Sequence, residues 1–131
     1  LKVIIAGSRE VTEPDGIGLV ILAMSKCGWN ATEVLSGGCR GIDRSGEAWA
    51  RHNGIPFTRY YAEWSRWGKG AGPIRNGLMA DDADALVAIW DGESRGTKNM
   101  IDTMRARGKP VHVQECLRYL PAPCAQGENV G

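Results

Sequence analysis

The chain has 131 residues, a formal net charge of +1 and 43% hydrophobic residues. That length supports one hydrophobic core and leaves no room for a second catalytic domain. The near-neutral charge lacks the basic excess that accompanies non-specific nucleic-acid binding, which makes nucleic acid an unlikely partner.

Residues 2–6 form a short, almost wholly apolar run closed by Gly7, which predicts a strand buried on both faces. Thr12, with Asp15 three positions on and Pro14 between, starts a helix whose apolar face is Ile17, Val20, Ile21 and Met24 and which stops at Gly28. Residues 33–36 follow as a second strand, and Gly37 and Gly38 lead into a helix over about 43–52 closed by Asn53 and Gly54. Residues 57–61 give a third strand. The connection 62–72, carrying Trp64, Trp67 and three glycines, reads as a loop longer than the usual two to six residues, which raises its functional weight. Pro73 suits a first helical turn, where its missing amide hydrogen has no intrahelical partner, and Ile74, Leu78 and Met79 predict that helix's buried face. Residues 85–90 are a second doubly buried strand. After 91–97 comes a helix presenting Met100, Ile101 and Met104, stopped by Arg105, Arg107, Gly108 and Pro110. Residues 111–113 form the last strand. Residues 117–131 carry two prolines and little periodicity, so they are expected to be an extended arm or tail beyond a domain of residues 1–116.

Five strands alternating with four helices predict a parallel sheet with right-handed crossovers and helices on both faces, a Rossmann-like three-layer α/β sandwich. The longest apolar runs, 3–6 and 17–24, fall far short of the roughly 20 residues that span a bilayer, and no signal-peptide pattern opens the sequence, so a cytoplasmic protein without a membrane partner is expected. Cys27, Cys39, Cys116 and Cys124 show no paired metal-ligand spacing and are expected to be free thiols. His52 and His112 also lack ligand spacing, so neither a metal nor a cofactor is implied.

Ligands of such sheets lie beyond the carboxyl ends of the strands, where strand order reverses. The loops at that rim are Gly7-Ser8-Arg9, Ser36-Gly37-Gly38-Cys39-Arg40-Gly41, and Asp91-Gly92-Glu93-Ser94-Arg95-Gly96-Thr97-Lys98. Glycines allow close backbone approach, and each following helix start offers unpaired amide hydrogens and partial positive charge, a combination that suits phosphate. Ser8, Ser36, Ser94 and Thr97 add hydroxyl donors, and Arg9, Arg40, Arg75, Arg95 and Lys98 add charge. Asp43 is either a helix cap or a ligand contact. Trp64 and Trp67 either stack a base or cover the core, while Trp29, Trp49 and Trp90 read as packing residues. Walker A, dinucleotide and nucleophile-elbow motifs are absent.

With Val3-Ile4-Ile5-Ala6-Gly7-Ser8-Arg9, Ser36-Gly37-Gly38-Cys39-Arg40-Gly41-Ile42-Asp43, Gly72-Pro73-Ile74-Arg75-Asn76 and Trp90-Asp91-Gly92-Glu93-Ser94-Arg95-Gly96-Thr97, the chain resembles the YspA-type, YpsA-related branch of the SLOG superfamily over about residues 2–113. That superfamily also holds the Lonely Guy phosphoribohydrolases and DNA-processing protein A. The resemblance implies a Rossmann-like site for a nucleotide or nucleotide-derived small molecule at the three loops, and relatives pair through helices into homodimers, a state these residues leave open. Lonely Guy enzymes use an Arg-Lys pair and a Pro-Gly-Gly-x-Gly-Thr-x-x-Glu segment. Here Arg75-Asn76 keeps only the arginine, and the final glutamate's position is Met100. Methionine cannot orient water by charge, so such hydrolysis requires Asp43, Asp91 or Glu93 in its place. The leading expectation is therefore sensing or sequestration of an ADP-ribose, NAD or nucleoside-phosphate relative. The alternatives are N-glycosidic hydrolysis of a nucleotide, with Arg75 on phosphate and Asp91 or Glu93 as carboxylate, and single-stranded DNA binding through Trp64, Trp67 and the arginines.

Overall fold

The computed structural model describes residues 1–116; the expected arm over 117–131, with Cys124, lies outside the described residues. The chain runs β1 (Lys2–Gly7), α1 (Asp15–Cys27), β2 (Glu33–Ser36), α2 (Ile42–His52), β3 (Phe57–Arg59), α3 (Trp64–Trp67), α4 (Ala71–Asp82), β4 (Ala85–Trp90), α5 (Arg95–Ala106) and β5 (Val111–Glu115). The strands form one sheet in the order β3-β2-β1-β4-β5. Every neighbouring pair is parallel, giving the Rossmann-like sandwich that the strand and helix alternation predicts.

Side chains alternate across a strand, so β1 feeds both faces at once. Val3 and Ile5 pack with Val34, Val87 and Ile89 beneath α1 and α2. Ile4 packs on the opposite face with Leu35, Leu86 and Ala88 beneath α4 and α5. Each such aliphatic side chain contributes roughly 1.5–3 kcal/mol by leaving water. Lys109 closes the C-terminus of α4 by donating from Nζ to the Ala80 and Ala83 carbonyls at 2.7 and 2.8 Å, a cation placed where the helix dipole is negative. Cys27, Cys39 and Cys116 are free thiols. No helix among the described residues is long and apolar enough to cross a membrane.

Three expectations need correction. The inner face of α1 is Gly16, Leu19, Val20, Ala23 and Met24, with Ile21 half-exposed. A side chain at Gly16 would collide with Ser45 of α2, and this close crossing of the two helices rotates α1 away from the face that its larger apolar residues suggest. In α4, Ile74 and Leu78 are exposed while Asn76, Met79 and Ala80 are buried. The polar edge of α4 turns inward because Asn76 finds partners on α5 there. Finally, the connection expected as a long loop is largely helical. Arg66 and Trp67 donate their amides to the Glu63 carbonyl at 3.0 and 2.9 Å, forming α3, and a 3-10 turn over Gly68–Gly70 leads directly into α4.

Candidate functional site

The chain leaves β1 and β4 toward helices on opposite faces of the sheet, and such a reversal leaves a crevice between the two strand ends. Here the crevice is a cavity of about 290 Å³. Its sheet side is Ala6 and Gly7 at the end of β1, and Gly37 and Cys39 belong to the loop after β2. Arg75, Asn76 and Met79 enter from α4, while Ser94, Gly96, Thr97 and Met100 enter from the start of α5.

Arg75 lies just after the first turn of α4 and reaches across to the β2 loop, donating from Nη1 to the Gly37 carbonyl at 3.0 Å and from Nε to Asn76 Oδ1 at 3.0 Å. Asn76 donates from Nδ2 to Asn99 Oδ1 at 2.9 Å, which fixes α4 against α5. A Cβ at Gly37 would stand 2.9 Å from both Arg75 Nη1 and Asp43 Oδ2, so only glycine lets the loop pass between these two side chains as they stand. Arg9 lines the mouth and donates from Nη2 to Cys39 Sγ at 3.6 Å.

Asp43 is a lining residue and not the cap of its helix: α2 starts at Ile42, Gly41 holds the cap position, and no side chain bonds there. It is 7% exposed, and its Oδ2 accepts the Cys39 amide at 3.2 Å. Burial pushes its carboxyl up from 3.8 to about 6, against the opposing pull of the Cys39 amide, Arg75 and the Gly7 amide. Among the described residues it is the single carboxyl lining the cavity. On the opposite wall, the first-turn amides of α5 have no intrahelical acceptor and present partial positive charge beside the paired hydroxyls of Ser94 and Thr97, 3.3 Å apart.

Of the candidate residues, Gly7, Arg9, Gly37, Asp43, Arg75, Asn76, Ser94, Gly96 and Thr97 line this one cavity. Others stand outside the lining. Ser8 is buried and accepts the Glu10 amide through Oγ at 3.1 Å. Ser36 donates its hydroxyl to Glu47 Oε2 at 2.7 Å. Gly38 packs over Arg59. Arg40 is exposed and paired with Glu10 at 2.9 Å. Asp91 Oδ1 accepts the Glu93 and Ser94 amides at 2.8 and 2.7 Å, shaping the turn that starts α5; Gly92, Glu93 and Arg95 lie on the exposed side of that turn. Lys98 pairs with Asp102.

The sequence reading passes over Asn99, Glu47 and Arg59. Glu47 follows Asp43 by four residues, hence one helical turn on the same face, and that spacing was its available signal. Almost fully buried, it accepts Ser36 Oγ and Arg59 Nε, the latter at 2.9 Å. Burial raises its carboxyl, but the bonds from Arg59 and Ser36 outweigh this and hold it below the usual glutamate range. Buried Glu47 and partly exposed Arg59 together lock the base of the loop that carries Gly37.

The family model described as YspA, cpYpsA-related SLOG family matches residues 1–67 of the 131. No curated protein and no solved structure matches the chain. The matched segment supplies β1, the β2 loop and Asp43, and membership in this family suggests binding or processing of a nucleotide-related ligand. The chain belongs to the YspA, cpYpsA-related SLOG family.

Proposed function

We propose that the chain binds a phosphorylated nucleotide-derived small molecule, such as an ADP-ribose, NAD or nucleoside-phosphate relative, and senses or sequesters it. The observation that carries this reading is the cavity at the β1/β4 crevice, which Arg75, bonded to the Gly37 carbonyl, lines together with the first turn of α5. A helix N-terminus and a guanidinium together suit a phosphate group. Met100 supports binding over turnover, since a thioether lines the position at which hydrolytic relatives carry a carboxylate. Isothermal calorimetry with AMP and ADP-ribose tests the proposal. Arg75→Ala should weaken binding by roughly tenfold or more, as the loss of a charge-assisted contact does, with the circular dichroism spectrum unchanged. Unchanged affinity would remove Arg75 from the site.

Asp43 favours one second reading, N-glycosidic hydrolysis of a nucleotide. Its carboxyl, raised to about 6, is suited to hold or release a proton near neutral pH inside the cavity. Arg75 would hold phosphate, and Asp43, rather than Asp91 or Glu93, would serve as the carboxylate. Free base released from AMP by the wild type but not by Asp43→Asn would support it; an inert wild type would end it.

A further inference from the structure

The cavity of about 290 Å³ sits at the bottom of the range of roughly 300–1,000 Å³ typical of small-molecule pockets. A ligand as large as ADP-ribose or NAD would extend beyond a space of that size. What lies next to the cavity along α4 therefore bears on which ligand fits. Arg75 and Gly72 are three residues apart on that helix and hence share a face. Beside Gly72 lies the ring of Trp64, 3.5 Å from where a Cβ would stand. The indole thus packs on α4 about one helical turn before Arg75, whose side chain enters the cavity.

Trp64 remains 54% exposed in this seat. Trp67, 46% exposed, differs because the Arg66 guanidinium covers its ring at 4.8 Å. Among the described residues no cation covers Trp64 in that way. No residue of α3 is buried, so the aromatic side chains of this turn are not holding the core. An exposed indole packed on the helix that delivers Arg75 to the cavity offers a stacking surface to a base extending along α4.

We propose that Trp64 forms a base-stacking subsite continuous with the cavity, so that the ligand is a nucleotide with its sugar phosphate inside and its base outside on the indole. This inference rests on the phosphate-binding reading above and adds the class of group that occupies the rim. The subsite distinguishes a nucleotide from a bare sugar phosphate.

Calorimetric titration with AMP and with ribose 5-phosphate separates the two claims. The wild type should bind AMP at least about fivefold more tightly, the lower end of what stacking on an aromatic contributes. Trp64→Ala should abolish that preference and leave ribose 5-phosphate affinity within about twofold, while Trp64→Phe, which keeps a ring, should retain most of it. Trp67→Ala should leave the preference in place. Equal affinity of the wild type for both probes would overturn the subsite while leaving the phosphate reading intact, as would loss of preference in Trp67→Ala but not in Trp64→Ala. Equal weakening of both probes by Trp64→Ala would also overturn it, because it would mark Trp64 as a support for the cavity. If neither probe bound at all, the phosphate reading would fall and the subsite with it.

Discussion

Asp43 and Arg75 meet across a single glycine, and neither can be understood without the other. Arg75 lowers the Asp43 carboxyl, yet burial dominates and leaves it near 6. A carboxyl with a folded pKa raised above its unfolded value of 3.8 contributes stability that is present at low pH and lost as pH rises through 6. Above that pH the buried charge costs up to about 3 kcal/mol. Asp43→Asn keeps the shape and removes the charge. Urea denaturation should find the variant more stable than the wild type by about 1–3 kcal/mol at pH 7 and little changed at pH 4. An equal difference at both pH values would show that Asp43 does not titrate in this range. Its place in the cavity was half legible from sequence: the Gly-Gly-Cys-Arg-Gly-Ile-Asp run put it at a helix start. Whether it capped the helix or faced the ligand depended on the turn at Gly41.

At the scale of elements, the central strands β1 and β4 declare themselves because a parallel sheet buries both their faces and they are near-continuous apolar runs, whereas the mixed edge strands end at Arg59 and Glu115 rather than at the expected 61 and 113. Residues 85–90 were therefore read to the residue. Helix faces were harder to read. In α1 the close crossing at Gly16 rules out the face suggested by Ile17 and Ile21. In α4 the polar partners of Asn76 outweigh the burial of Ile74 and Leu78. The four-residue α3 is too short for any period to appear. Between elements, β2, α2 and β3 are joined by Ser36, Glu47 and Arg59, a bond set whose members lie far apart in sequence. Arg59→Ala would leave Glu47 buried without its cation and should cost about 3 kcal/mol, read as a fall in the urea midpoint. A loss below about 1 kcal/mol would mean that the pair behaves like a solvent-exposed one.

For the whole molecule, the alternation of strands and helices was enough to derive the sheet, and the sheet order places the crevice between β1 and β4. Sequence could put three glycine-rich loops on that rim, but not decide which side chains turn inward. Asp91 is spent on its own turn through local bonds, while Arg40 is spent on Glu10 and Ser36 on Glu47 through contacts that the assembled fold creates. A ligand that binds only the folded chain should stabilise it: AMP at about 100 times its dissociation constant should add roughly 2.7 kcal/mol and raise the melting temperature by several degrees. An unmoved melting temperature at that excess would deny selective binding to the native state. The most direct test of the central claim, that the crevice holds the anion, is an amide NMR titration with AMP. The account predicts that the largest shifts fall on Gly37, Gly96 and Thr97. Shifts confined to the groove around Arg51 and Phe57, or none anywhere, would contradict it.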